Sequence, residues 1–129
     1  MTWRTLPFLA ASVLLIPLAA CTDKNEASGS GTGGGGIVKV TSTDDECLLS
    51  TDEVSRGTVV FEITNKGTKI TELHFESEGG KTIVGEVENI GPGITRELTV
   101  QAAPGTFEVA CKPGMIGDGN RVKFTVADS

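Results

Sequence analysis

The sequence contains few of the residues on which enzyme active sites are usually built. It has no tyrosine and a single histidine, His74, among 129 residues. A Ser-His-Asp or Cys-His arrangement would therefore have to be built around His74 alone. The glycines at 33–36 precede a predicted strand and lie in a polar linker, so they do not indicate a phosphate-binding loop. This inventory disfavours an enzyme, and a ferroxidase-type redox step is the one reaction that we retain as worth testing.

Basic residues are also scarce. Lysine and arginine number 11 against 17 aspartates and glutamates, which gives a formal net charge of −6. A protein that binds nucleic acid usually carries a basic patch, so we expect no nucleic-acid partner. An acidic chain is compatible with binding cations, although acidity also serves solubility.

The one long apolar run, at 6–20, is interrupted by Pro7 and Pro17. It falls short of the roughly 20 apolar residues that a membrane-spanning helix needs. With Arg4 before it, the run predicts a secretory signal at 1–20. It ends in Leu-Ala-Ala-Cys at 18–21, which resembles a bacterial lipobox. We therefore expect lipidation at Cys21 and an anchor in the cell membrane on its extracytoplasmic face, the alternative being an ordinary signal with a chance cysteine.

The next segment, 21–36, is predicted to be the lipidated cysteine followed by a flexible linker. It is polar and rich in glycine and serine, a composition that does not bury a core. About fifteen such residues span roughly 20 Å on average. The remaining residues, 37–129, are enough for one domain.

Short alternating segments separated by Gly, Pro and Asn predict an all-β domain. Seven or eight short strands with such turns are typical of a β-sandwich or barrel. The stretch 44–56 leaves a strand and a helical turn both open. The predicted strands are 37–41, 58–64, 69–76, 82–88, 94–100, 106–111 and 122–126.

One strand carries polar residues on alternate positions. Glu72, His74 and Glu76 are expected on one face, with Leu73 and Phe75 on the other. Antiparallel sheets commonly leave one face in water, so we expect the polar face to be solvated.

The two remaining cysteines leave two interpretations open. In an oxidising compartment Cys47 and Cys111 would form a disulfide. Alternatively they are thiolate ligands, since Cys111 ends a strand and Met115 follows in a Gly-rich loop, and both are soft donors that suit copper. A blue-copper site also needs two imidazoles, and the chain has one.

Several strings resemble the cupredoxin-like domain of EfeO-type iron-uptake proteins. They are residues 84–93 (Val-Gly-Glu-Val-Glu-Asn-Ile-Gly-Pro-Gly), residues 71–73, residues 104–107, and the order of Cys47 and Cys111 around them. The resemblance extends over 37–129. It implies a cupredoxin-like Greek-key β-sandwich.

The resemblance also implies that the domain binds copper, iron or both, through cysteines and carboxylates. The implied ligands are Cys47, Glu72, Cys111, Glu88 and Met115. It implies a redox role in which bound copper oxidises Fe(II) and carboxylates receive Fe(III), together with an iron-uptake or redox partner protein. The alternative is a disulfide-stapled binding or structural module without metal.

Overall fold

A computed structural model describes residues 34–129, which form nine β-strands and no α-helix. Two short 3-10 turns, at Glu78–Gly80 and Pro113–Met115, lie between strands. Within these residues no helix is long and apolar enough to cross a membrane. The strands are β1 (Gly36–Ser42), β2 (Cys47–Leu49), β3 (Glu53–Ser55), β4 (Gly57–Asn65), β5 (Thr71–Ser77), β6 (Ile83–Ile90), β7 (Thr95–Ala102), β8 (Gly105–Cys111) and β9 (Asn120–Ala127).

The strands form two sheets packed as a sandwich. The four-stranded sheet has the order β2-β1-β4-β7, and the five-stranded sheet has the order β3-β9-β8-β5-β6. Most neighbours are antiparallel, whereas β1 pairs with β4, and β3 with β9, in parallel. Strand β5 is an inner strand, with β8 on one side and β6 on the other.

The core lies between the sheets and is built by period-2 alternation. On β4, for example, Val59, Phe61 and Ile63 are fully buried, while Val60, Glu62 and Thr64 between and after them are only partly so. The ring of Phe61 lies 5.2 Å from that of Phe75 and 5.4 Å from that of Phe124, between ring centroids. Aromatic pairs at such distances add to the free energy gained by burying their surface.

The all-β sandwich is confirmed, and the strand count is nine instead of the predicted seven or eight. The difference comes from 44–56, the stretch left open by its pattern, which forms the short strands β2 and β3. Each pairs with a neighbour over three residues only. Alternation over three residues is too short to be recognised from sequence. Strand β1 also begins at Gly36, one residue before the predicted start at Ile37.

Candidate functional site

Strand β5 is buried on both faces. Leu73 and Phe75 are 0% exposed and belong to the core, as expected. Glu72, His74 and Glu76 point to the outer face of the five-stranded sheet, yet they are only 5%, 6% and 5% exposed. The prediction that this face is solvated was wrong. Because β5 is an inner strand, long side chains from the adjoining chain segments reach over it.

Glu76 receives hydrogen bonds on both of its carboxylate oxygens. The Nδ1 atom of His74 donates to Oε1 at 2.9 Å, and Nη2 of Arg121 donates to Oε2. The same Arg121 nitrogen donates to Oε2 of Glu108 at 2.9 Å. Gly80 leaves room for this contact, since a Cβ there would lie 2.5 Å from Arg121 Nη2.

These contacts favour the charged forms of Glu76 and Arg121. Burial raises the pKa of Glu76, but the hydrogen bonds from His74 and Arg121 outweigh it and hold that pKa below its ordinary value. The hydrogen bond to Glu108 raises the pKa of Arg121, and the bond to Glu76 adds to the rise. Glu76 is therefore a carboxylate anion that orients the imidazole of His74.

The other ring nitrogen of His74 has no hydrogen-bond partner within residues 34–129. Since Nδ1 donates to a carboxylate, a neutral His74 carries a lone pair on Nε2. The Nε2 atom lies 3.3 Å from Glu72 Oε1 and 3.4 Å from Glu86 Oε2. Two carboxylate oxygens facing a lone pair repel it unless a proton or another cation lies between them. The three side chains thus favour a positively charged species beside Nε2.

A lysine completes this cluster. The Nζ atom of Lys112 lies 2.9 Å from Glu72 Oε1, the same oxygen that faces His74. Glu86 on β6 is the most open member, with 45% of its side chain exposed, and its Cα pairs directly with that of His74. We call Glu72, His74, Glu76, Glu86, Glu108, Lys112 and Arg121 the outer-face cluster. It contains four glutamates against one lysine and one arginine, so acidic side chains outnumber basic ones.

The ligands that the resemblance implies do not lie together, because the cysteines and Glu72 are on opposite sides of the five-stranded sheet. Cys47 and Cys111 form a disulfide, the alternative that the sequence left open, with 5.4 Å between their Cα atoms. Both belong to the core, and Cys111 pairs with Leu73 on the core side of the sheet. Glu72 points to the opposite side. The two sulfurs are bonded to each other and are not the thiolates that the metal interpretation requires.

The other two predicted ligands lie apart from the disulfide. Glu88 is exposed, next to the bulge that shifts the register between β6 and β5. Met115 ends the 3-10 turn after β8, with a positive φ of 55° and partial exposure. Among residues 34–129, no three His, Cys, Asp or Glu side chains are arranged, as they stand, to hold a metal ion.

A blue-copper centre does not fit these residues. Such a centre is held by a Cys thiolate and two imidazoles, with a weak axial ligand. Here the cysteines are joined, and the only histidine of the chain lies on the outer face of the sheet. The outer-face cluster has a different chemistry, of carboxylate oxygens and one imidazole, which are hard and intermediate donors instead of soft ones.

Sequence reasoning placed Glu72 among the candidates and missed the rest of the outer-face cluster. The signal for His74 and Glu76 is the Glu-x-His-x-Glu alternation at 72–76, which by itself predicts a polar face in contact with water. Lys112 and Arg121 carried no recognisable signal, because their approach to β5 depends on how β8 and β9 are ordered in the sheet. Cys21 lies outside the described residues.

Comparisons with known proteins agree with this fold. Residues 10–126 match the profile of a family described as "Cupredoxin-like domain". The "Iron uptake system component EfeO" of Escherichia coli (strain K12) is 38% identical over 74 residues, and the same component of Shigella flexneri matches equally. The match covers 57% of this chain but only 19% of each relative's length.

Among solved structures, reduced auracyanin from Roseiflexus castenholzii superimposes with a TM-score of 0.57 at 20% identity. The match covers 71% of this chain and 96% of auracyanin. The azurin Az-iso2 of Methylomonas sp. strain J gives a TM-score of 0.53 at 13% identity, covering 70% of this chain and 96% of the azurin. At these identities the likeness concerns the fold alone.

Proposed function

The chain belongs to the cupredoxin-like domain family, and from that membership we propose that it is a metal-handling domain that binds iron at its outer-face cluster. The observation that carries the proposal is the Nε2 atom of His74, which is buried, lacks a hydrogen-bond partner among the described residues and faces Glu72 and Glu86. The related proteins named as iron-uptake components support iron as the cargo.

The surroundings of His74 resemble those of a metal-binding histidine. Such a histidine usually donates its second ring N–H to a carboxylate, which is itself held by further hydrogen bonds. Glu76 accepts the N–H of His74 here, and Arg121 holds the other oxygen of Glu76. These two residues would keep Nε2 directed at the ion, while the carboxylates of Glu72 and Glu86 would supply oxygen ligands.

The choice of iron over copper follows from the donors. Carboxylate oxygens are hard ligands and imidazole suits iron, copper and zinc alike, whereas thiolates and thioethers are the soft ligands that select Cu(I). With the two cysteines joined, the thiolates are not available, and Met115 is the one soft donor left among the implied ligands. Bound iron would contribute its own redox chemistry, and the chain's residues would bind it and limit its access to water.

The proposal includes a place in the cell. We infer an extracytoplasmic domain, lipid-anchored through Cys21 and held near the membrane by the segment 21–36, which delivers iron to an uptake or redox partner protein. Mass spectrometry of the full chain from the membrane fraction tests the anchor. A mature N-terminus at Cys21 carrying acyl groups is expected, and it should be lost in Cys21→Ala. An unlipidated chain that starts elsewhere would contradict the anchor.

Anaerobic calorimetric titration with Fe(II) tests the metal site. Saturable binding of one Fe(II) is expected in the purified full chain. Replacing His74 by Gln should abolish it, and Glu76→Gln should weaken it by about 10–100-fold, as for other residues that orient a metal ligand.

Two controls separate this site from the ligand set implied by resemblance. Glu88→Gln removes one carboxylate from the same strand as Glu86, and it should leave Fe(II) binding unchanged. The double variant Cys47→Ala/Cys111→Ala should also bind Fe(II) wherever it remains folded. Binding that survives His74→Gln but is lost in either control would place the metal elsewhere and overturn the proposal.

A stapled module without metal is the second candidate function. The observation in its favour is the disulfide, which joins β2 of one sheet to β8 of the other. A native chain that shows no saturable binding of Fe(II) or Cu(II) would favour this alternative.

A further inference from the structure

We propose that Lys112 is a built-in counter-cation of the outer-face cluster, which iron must displace in order to bind. The inference rests on the proposed function and adds how the affinity of that site is set. Its starting point is that one oxygen, Glu72 Oε1, faces both Lys112 Nζ at 2.9 Å and His74 Nε2 at 3.3 Å. A metal ion bound to that oxygen and to Nε2 would lie against the ammonium group.

The position of Lys112 is set by its backbone. Its N–H donates to the carbonyl oxygen of Glu72 at 2.8 Å, and its own carbonyl accepts from the N–H of Met115 at 2.9 Å. The stem of the side chain runs past Gly119, where a Cβ would lie 2.6 Å from Lys112 Cγ. Gly119 also has a φ of +71°, which favours glycine. The chain thus leaves a space that directs this lysine over Glu72.

The ion pair is largely shielded from water. The side chains of Lys112 and Glu72 are 16% and 6% exposed. Charges at this degree of burial interact more strongly than surface pairs, so the ammonium neutralises Glu72 effectively. Iron and the ammonium therefore compete for one oxygen, and the lysine lowers the affinity of the site for iron.

Displacement is feasible because of the chemistry of lysine. Its charge is carried on a flexible four-carbon stem, which can swing into solvent without moving the backbone. Its return would help expel the ion, so the same residue favours release to an acceptor. A carrier that passes its ion to a partner needs such a moderate affinity.

The first test compares Fe(II) affinity in the full chain and three variants by anaerobic calorimetry. Lys112→Met removes the ammonium and should tighten binding about ten-fold or more, because one nearby like charge is lost. Lys112→Arg keeps the charge and should not tighten binding. Lys39→Met is the matched control, since it removes an exposed lysine from β1 of the other sheet, and it should leave the affinity unchanged.

The second test uses the wild-type chain and decides the matter alone if Lys112→Met does not fold. Amine acylation, measured by peptide mass spectrometry, should label Lys112 faster when Fe(II) is saturating, relative to Lys39 in the same sample. The role of Lys112 would be overturned if the wild type binds Fe(II) but folded Lys112→Met binds it no more tightly. It would also be overturned if the wild type binds Fe(II) and the labelling of Lys112 does not change. Either result would leave the proposed function standing. No saturable binding in either the wild type or Lys112→Met would overturn the proposed function itself.

Discussion

Removing the disulfide between Cys47 and Cys111 should destabilise the domain strongly. The two residues are 64 positions apart, so the bond closes a large loop in the unfolded chain. In the chain-entropy treatment a loop of that length corresponds to about 4 kcal/mol of stability at 25 °C. For a domain of this size, that loss corresponds to a fall in Tm of about 15–30 °C.

The assay is urea unfolding of the full chain, followed by circular dichroism. All forms would carry Cys21→Ser, so that only Cys47 and Cys111 can pair. The oxidised chain is compared with Cys47→Ala/Cys111→Ala and with oxidised protein that has been unfolded, reduced and refolded. The reduced chain keeps both sulfur atoms in the core, and it separates the loss of the cross-link from the loss of packing.

We expect both forms without the bond to lose about 4 kcal/mol of unfolding free energy. The alanine variant should be slightly less stable than the reduced chain, because it also loses two buried sulfur atoms from the core. A loss below about 1 kcal/mol in the reduced form would refute the loop-closure reasoning. It would mean that the unfolded chain is already restricted, or that the bond strains the native state.

The remaining predictions concern the cluster and the core. The pKa of Glu76 is held below its ordinary value of 4.5, so its stabilising contribution is complete above that pH and is lost as the pH falls through the folded-state pKa. In urea unfolding, the free energy of unfolding should therefore fall less between pH 7 and pH 3 in Glu76→Gln than in the wild type. An equal fall in the two proteins would contradict this. Phe61→Ala should cost about 3–5 kcal/mol in thermal unfolding, because Phe61 is 0% exposed, whereas the half-exposed control Leu48→Ala should cost well under 1 kcal/mol. The buried side chain of Asn65 donates to the carbonyls of Lys69 and Ile90 and accepts from the N–H of Gly67. Asn65→Ala should therefore lower the free energy of unfolding in urea by about 2 kcal/mol or more. An unchanged free energy of unfolding would show that water replaces these bonds.

The strands that could be predicted are the long ones. In β4 and β9, apolar residues alternate over enough positions to define both the strand and its buried face. Strands β2 and β3 have three residues each, and they exist because β1 and β9 offer edges to pair with. Such pairing depends on distant residues, so local pattern could not reveal it.

At the candidate site, too, local pattern predicted only part of the arrangement. Alternation correctly put Glu72, His74 and Glu76 on one face of β5, but it could not say what covers that face. Lys112 follows β8 and Arg121 lies on β9, so their contacts with β5 follow from the order of the strands. Burial of polar residues on an inner strand is a property of the whole sheet.

The sequence by itself determined the all-β class, the family resemblance and the two faces of β5, because alternation and turn residues act over short distances. Only the tertiary structure decided that the cysteines are joined and that the predicted ligands lie on two sides of a sheet. It also brought a lysine and an arginine to Glu72 and Glu76, the carboxylates on either side of the buried histidine along the strand. Those outcomes depend on which strands are neighbours, and neighbours are chosen by packing between residues that are far apart along the chain.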